Sequence, residues 1–172
     1  PQADSARIAE LEERFAAAQK EAKSYIDQGE FENILERNGA TGINAATSSD
    51  GTWYYYNLPA NKAELFFALE SDRFMNPVFR EFYTERDVVA EERRSRFDNN
   101  PAGRMYEEHL SAAYRAHPYG VPPIGYMSDI QNLTREQARS YYDEFYGARN
   151  AVVAVVGDVE ADSNLTWAED YL

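Results

Sequence analysis

Glu85 and Glu92 are the residues of this sequence whose type and spacing first suggest chemistry. The pattern around them predicts one helix over residues 79–97, and a separation of seven residues is almost two helical turns, which places both carboxylates on one face. Phe82 and Val89 fall on the same face. Because an unpaired carboxylate is costly to bury, glutamates on a partly apolar stripe indicate a bound cation, an arginine partner or a hydrogen-bond network.

A solvated helix explains the same spacing. Glutamates pair with arginines three or four residues away on exposed helices, and such pairs stabilise the helix without any catalytic role. Several arginines are within reach of the two glutamates: Arg86, Arg93, Arg94 and Arg96. Spacing alone therefore favours surface ion pairs over a functional site.

Other catalytic chemistry has little support in the sequence. His109 and His117 lie eight residues apart on either side of a predicted helix end, and neither belongs to an H-E-x-x-H or H-x-x-E-H cluster. A lone histidine of this kind is more often structural than a metal ligand. The sequence contains no G-x-S-x-G elbow, no phosphate-binding loop and no cysteine, which excludes a thiol nucleophile and disulfides.

The glutamate-bearing helix lies within a mixed order of elements. Apolar periodicity and capping residues predict helices over residues 4–28, 30–37, 61–75, 79–97, 101–115, 135–146 and 163–172. Alternation around an Asp-Gly turn predicts a hairpin with strands at 43–47 and 52–58. The continuous apolar run at 151–156 predicts a strand buried on both faces.

These elements predict an α+β fold in which helices pack on one face of an antiparallel sheet. Three strands do not complete a sheet, since a buried central strand needs neighbours on both sides. We therefore expect an incomplete domain whose missing strand precedes Pro1.

Composition narrows the classes of partner. The 172 residues are 44% hydrophobic and carry a net charge of −13, which repels phosphate backbones and disfavours nucleic acid. The same charge could attract basic peptides or serve only solubility. No apolar run is long enough for a membrane span or resembles a signal peptide. A chain without cysteine fits the bacterial cytoplasm or the periplasm, so the compartment stays open.

Several segments together resemble the inverzincin metallopeptidases, the family of pitrilysin, insulinase and the mitochondrial processing peptidases. Residues 38–48, NGATGINAATS, are similar to that family's N-G-G-x-x-N-A-x-T-S strand, and the aromatic residues 53–56 resemble its return strand. Residues 85–92, ERDVVAEE, match its E-R-x-V-V-x-x-E helix. The H-P-Y-G of residues 117–120 and the N-x-V-x-x-V-x-G-D-V of residues 150–159 follow in the right order.

The resemblance covers residues 30–172 and implies part of the N-terminal, metal-bearing domain of a zinc-dependent metalloendopeptidase. Residues 1–29 are then a helical insertion. Glu92 is implied as a zinc ligand, and Glu85 as a second acidic residue that orients the site. Asn44 and Ala45 are implied to bind an extended peptide substrate by strand addition. A second homologous domain or subunit is an implied partner.

The sequence departs from the family in one respect, because H-x-x-E-H occurs nowhere in it. We therefore expect a fragment of a larger enzyme that is inactive by itself. The alternative is a non-catalytic homologue that binds peptides or a partner subunit. A helical interaction domain unrelated to proteolysis would instead leave Glu85 and Glu92 exposed and remote from the strand at 43–47.

Overall fold

The computed structural model describes residues 5–25 and 29–172. The chain divides into two compact units, residues 1–34 and residues 35–172. In the first unit, helix α1 spans Ser5–Lys23, which confirms the predicted helix over that range. Residue 4 and residues 26–28 of the predicted helix lie outside the described residues.

Helix α2 spans Glu30–Arg37 and ends as its sequence predicts. Leu35 is fully buried, and its carbonyl accepts hydrogen bonds from the backbone N–H groups of Asn38 and Ala40. Gly39 has a φ of +89°, a left-handed conformation that glycine adopts without steric cost. A Cβ atom there would also lie 3.0 Å from Pro59. The Asn38-Gly39 pair therefore closes the helix and turns the chain into the hairpin.

The hairpin consists of strand β1, Thr41–Thr47, and strand β2, Thr52–Asn57, paired antiparallel. Asn44 lies opposite Tyr55 and Ala45 lies opposite Tyr54. At the turn, the N–H of Ser48 donates to the carbonyl of Gly51 over 2.9 Å. The predicted hairpin is confirmed, and in the described part of the chain it forms a two-stranded sheet.

Six helices follow the hairpin: α3 at Ala63–Met75, α4 at Phe82–Arg93, α5 at Pro101–Ala113, α6 at Met127–Asn132, α7 at Arg135–Phe145 and α8 at Ala161–Tyr171. The predicted helix at 79–97 is shorter than expected, because its last residues form a π-helical turn, Arg94–Asp98. The short helix α6 was not predicted. No described helix has both the length and the apolar character that crossing a membrane requires.

Local side chains fix two of these helix starts. Asn100 caps α5, where its side-chain oxygen accepts from the N–H groups of Ala102 and Gly103, and Pro101 takes the first helical position. Thr134 and Gln137 form a reciprocal capping box at the start of α7. These caps explain why both helices begin where the sequence predicts.

Helix α3 packs against one face of the hairpin. The Tyr56 hydroxyl donates to Glu70 over 3.0 Å, and Arg73 donates to the same buried carboxylate over 2.9 Å. Trp53 and Tyr55 lie on the opposite face and are about half exposed, at 55% and 51%. The α+β class, with helices packed on one face of an antiparallel sheet, is confirmed.

The main apolar contacts centre on α3. Phe67 is buried, and its ring centroid lies 6.2 Å from that of Trp167 in α8. Helix α4 packs on α6, where Ala90 and Ile130 are buried. Within residues 35–172, α3 therefore packs on α8, and α4, which carries the candidate site, packs on α6.

The prediction of a buried strand at 151–156 is wrong. This segment has no strand partner in the described part of the chain, and Val152 and Val156 are 96% and 95% exposed. A buried strand needs ladder hydrogen bonds from neighbours on both sides. The described strands pair only with each other, so the apolar run stays uncovered despite its composition.

Candidate functional site

Glu92 lies in the last turn of α4, and its side chain is 39% exposed. Its Oε1 atom lies 2.8 Å from Nη1 of Arg96, four residues further on. Arg96 belongs to the π-helical turn, which is closed by a bond from the Asn99 N–H to the Arg94 carbonyl over 2.8 Å. Glu92 therefore has a surface ion-pair partner, and its carboxylate remains accessible to a further ligand.

Glu85 lies in the first turn of α4 and is exposed. The buried residues of this helix are Ala90 and Arg93, three residues apart, so the buried stripe does not run through the two glutamates. Both glutamates lie toward the solvent side of α4. The arrangement suits residues that meet a partner from outside the helix, and it also suits a solvated surface.

Arg93 forms the buried ionic network of this region. Its guanidinium donates to Glu107 over 2.8 Å, to Asp98 over 3.2 Å and to the carbonyl of Gly125 over 3.0 Å. The guanidinium carbon also lies 4.9 Å from the centre of the Phe97 ring. The sequence offered one weak signal for this role, the three-residue step from Ala90, which puts Arg93 on the apolar side of the helix.

Asn44 and Ala45 are exposed on β1. One edge of β1 pairs with β2, and the other has no strand beside it in the described part of the chain. The Ala45 N–H donates to the side-chain oxygen of Asn44 over 2.8 Å, so this backbone donor of β1 has a local partner. Neither glutamate of α4 is hydrogen-bonded to Asn44 or Ala45 in the bonds found among described residues.

The segment after α5 is tied to the tip of the hairpin. The Tyr119 hydroxyl donates to Oδ1 of Asp50 over 2.6 Å, and this bond raises the pKa of Tyr119 above its ordinary value. His117 accepts the Tyr119 backbone N–H at Nδ1 over 3.3 Å and packs its ring 4.4 Å from the Tyr119 ring. His117 is thus part of a loop anchor. His109 is exposed on α5.

An aromatic cavity of about 760 Å³ lies between β2, α3 and α7. Tyr54 bonds to the Tyr146 hydroxyl over 3.0 Å, and the Arg73 guanidinium carbon lies 4.5 Å from the centre of the Tyr54 ring. Burial, with the bond to Tyr146, raises the pKa of Tyr54. The residues that line this cavity do not include the glutamates of α4 or the exposed residues of β1.

The described residues do not form a complete zinc site. Over residues 5–25 and 29–172, no three His, Cys, Asp or Glu side chains are grouped closely enough to hold a metal ion. Protein zinc sites use three or four such ligands. Glu92 offers one accessible carboxylate, a group of the kind that can bind zinc.

Two family models match this chain. The model described as insulinase, peptidase family M16, matches residues 8–125, and the model described as peptidase M16 inactive domain matches residues 132–172. The chain belongs to the insulinase family. The resemblance that the motifs predicted is therefore confirmed.

Known relatives extend this result. The insulinase-family chain is 42% identical over 140 residues to the zinc protease PqqE of Helicobacter pylori, which covers 79% of the chain and 31% of that relative. It is 29% identical over 145 residues to a probable mitochondrial-processing peptidase subunit beta of Schizosaccharomyces pombe, covering 84% of the chain and 32% of that relative.

A solved structure shares the fold. The crystal structure of a protease from Helicobacter pylori superposes with a TM-score of 0.79 at 37% identity, over 86% of this chain and 36% of that one. The insulinase-family chain thus spans about a third of the length of the relatives it matches.

Proposed function

We propose that this chain supplies part of the active site of a zinc-dependent metalloendopeptidase, with Glu92 as one zinc ligand. The observation that carries the proposal is the helix α4, which presents the E-R-x-V-V-x-x-E pattern of the insulinase family with an accessible carboxylate at Glu92. Bound zinc would polarise the scissile carbonyl and lower the pKa of an attacking water. The other ligands come from outside the described residues.

Glu85 is proposed as an orienting carboxylate. It lies on the same face of α4 as Glu92. Seven residues of helix, at 1.5 Å per residue, separate their Cα atoms by roughly 10 Å. At that separation Glu85 can hydrogen-bond another ligand without itself binding the ion. Loss of such an outer partner typically weakens metal affinity about 10–100-fold.

Asn44 and Ala45 are proposed to bind the peptide substrate. The uncovered edge of β1 offers backbone groups to an extended peptide, which would add as a further strand. In the full-length gene product, Ala45→Pro removes one backbone donor, so we expect a raised KM or lost cleavage with unchanged zinc content. Unchanged kinetics would show that substrate does not add to this edge.

The zinc-ligand proposal is tested by Glu92→Gln in the full-length gene product. Glu91→Gln is the matched control, because Glu91 is the adjacent residue on the same helix turn and its exposed carboxylate pairs with Arg94. Zinc content after dialysis and cleavage of a peptide library are measured for both. We expect Glu92→Gln to lose zinc and cleavage by more than the roughly 100-fold typical of an outer partner, and Glu91→Gln to lose neither.

Equal zinc content in the two variants would refute the assignment of Glu92. Unfolding temperature, measured on both after metal removal, separates a ligand effect from a fold defect. Since the carboxylate of Glu92 is partly exposed, its replacement by an amide of the same size is expected to leave the metal-free fold intact.

A non-catalytic role is the alternative proposal. It is favoured by one observation, that no three potential ligands are grouped in the described part of the chain. Such a homologue would bind peptides or a catalytic partner without hydrolysing them. Wild-type full-length protein that binds a peptide but neither retains zinc nor cleaves would favour this alternative. Pairing with a second homologous domain or subunit is part of both proposals.

We also propose that residues 1–29 are a helical insertion and residues 30–172 a partial N-terminal peptidase domain. The insulinase-family model matches from residue 8 onward, so most of the proposed insertion lies within the matched range. Helix α1 leaves Ile8, Leu11 and Phe15 about half exposed, as expected of a surface helix that adds little to the core. Deletion of residues 1–29 is expected to leave the unfolding temperature of the remaining domain within a few degrees.

A further inference from the structure

We propose that Arg93 is a positioning residue for Glu92, an inference that rests on the proposed function of Glu92. The Arg93 side chain is 6% exposed and lies next to Glu92 in the last turn of α4. Consecutive helical residues point about 100° apart, so Arg93 faces the interior where Glu92 faces the site. An anchor on Arg93 therefore sets the direction of the Glu92 side chain.

Three separate segments hold the Arg93 guanidinium. Asp98 is the last residue of the π-helical turn, Glu107 belongs to α5, and the Gly125 carbonyl lies in the segment before α6. A planar guanidinium has donors in a rigid fork, so contacts in three directions fix its rotation as well as its position. The end of α4 is thereby fixed against both translation and rotation.

The same contacts also place the ion-pair partner of Glu92. Arg96 lies in the π-helical turn between Arg93 and Asp98, so the bond from Arg93 to Asp98 spans the turn that carries Arg96. Arg96 in turn lies 2.8 Å from Glu92. Arg93 thus fixes the backbone that carries Glu92. It also fixes the position of the Arg96 guanidinium, which competes with a metal for the Glu92 carboxylate.

Stability alone does not explain the buried network around Arg93. Burying an arginine with two carboxylates carries a large desolvation cost, and replacement of such a group by apolar side chains is often neutral or stabilising. Glu107 Oε1 is in addition buried without a hydrogen-bond partner among the described residues. A network with this cost is explained if it holds α4 in a fixed orientation for a neighbouring functional residue.

The test uses Arg93→Lys in the full-length gene product. Lysine retains the charge but lacks the fork, so it can bond to some of the three acceptors without fixing the rotation of the helix end. Arg94→Lys is the matched control, because Arg94 is the next residue and pairs only with exposed Glu91 among the ion pairs found. Zinc dissociation constant, kcat, KM and metal-free unfolding temperature are measured.

We expect Arg93→Lys to weaken zinc affinity about 10–100-fold, as loss of an outer partner does, and to lower kcat with KM unchanged. Arg94→Lys should change none of these. Glu107→Gln, which keeps the size and one acceptor of Glu107, should give a smaller loss in the same direction. It also provides the measurement if Arg93→Lys does not fold.

Two results would overturn the inference. If Arg93→Lys and Glu107→Gln lower the metal-free unfolding temperature but leave zinc affinity and kcat unchanged, Arg93 is only structural. If Glu92→Gln, measured beside them, retains zinc, then the proposed function fails and the inference fails with it. A loss of zinc in Glu92→Gln without any loss in the two network variants overturns the positioning role alone.

Discussion

The hydrogen bond from Tyr56 to Glu70 should contribute measurably to the stability of the contact between the hairpin and α3. Tyr56→Phe removes the hydroxyl that donates to Glu70 over 3.0 Å and leaves the ring that packs against Phe66, with ring centroids 5.8 Å apart. Glu70 is 6% exposed, so water does not readily replace the lost donor. The change therefore removes a hydrogen bond to a buried ionic group and keeps the aromatic ring.

The expected loss follows from that geometry. A hydrogen bond to a charged group contributes about 1.5–3 kcal/mol. Arg73 still donates to Glu70 in the variant, so we place the loss at the lower end, about 1.5 kcal/mol. For a chain of this length, each kcal/mol lowers the unfolding temperature by roughly 2–4 °C. The variant should therefore melt about 3–6 °C below wild type.

The pH dependence provides a second readout. Burial first, and then the charge and hydrogen bond of Glu70, raise the pKa of Tyr56 in the folded chain. A raised folded pKa means that this stabilisation is complete below the unfolded value of about 10 and is lost as pH rises through the folded pKa. Wild type should lose stability above about pH 10, and Tyr56→Phe should lose less over the same range.

Tyr55→Phe is the matched control, because Tyr55 is the next residue of β2 and lies half exposed on the opposite face. Thermal unfolding of the three proteins by circular dichroism, repeated between neutral pH and pH 11, gives both quantities. Equal melting of Tyr56→Phe and Tyr55→Phe at neutral pH, or equal alkaline slopes for wild type and Tyr56→Phe, would refute the reasoning.

Three further predictions concern the end of α4 and the start of α5. Gly103→Ala would put a Cβ atom 2.0 Å from the Arg96 carbonyl oxygen, so we expect a loss of about 3 kcal/mol or failure to fold, measured by urea unfolding. Asn100→Ala removes the cap of α5 and should cost about 1 kcal/mol in the same assay, whereas Asn100→Asp should cost far less. Arg96→Gln frees Glu92 from an exposed ion pair of about 0.2–1 kcal/mol, so zinc affinity of the full-length protein should rise up to about fivefold; a fall in affinity would contradict this.

The sequence predicted the elements that local chemistry determines. The helix end at Asn38-Gly39 depends on a glycine in the left-handed backbone conformation, and the start of α7 depends on a capping box within four residues. Each signal is contained in a few neighbouring positions. These elements were therefore recovered with boundaries close to those observed.

The missed features depend on contacts between distant residues. The π-helical turn shortens α4 where Arg93 reaches Asp98, Glu107 and Gly125, and no local pattern marks those three acceptors. The run at 151–156 has the composition of a buried strand, but burial depends on a neighbouring strand that composition does not supply. Helix α6 is too short for a periodic signal.

The candidate site was predicted by family motif and not by spacing. Spacing favoured surface ion pairs for Glu85 and Glu92, and the contact of Glu92 with Arg96 is such a pair. The assignment of Glu92 as a ligand depends on the resemblance, which the family match confirms at the level of the family. Its role stays a prediction that the glutamine variant tests.

The uncovered valines at 151–156 have a consequence for the colloidal behaviour of the chain. A short apolar, β-branched run without charge or proline is a segment through which separate molecules can associate as stacked strands. Mutual repulsion between chains with a net charge of −13 opposes that association near neutral pH. Near the isoelectric point of about 4.6 the repulsion disappears. Mild acid or high salt should therefore precipitate the chain, and Val152→Asp or Val156→Asp should keep it in solution.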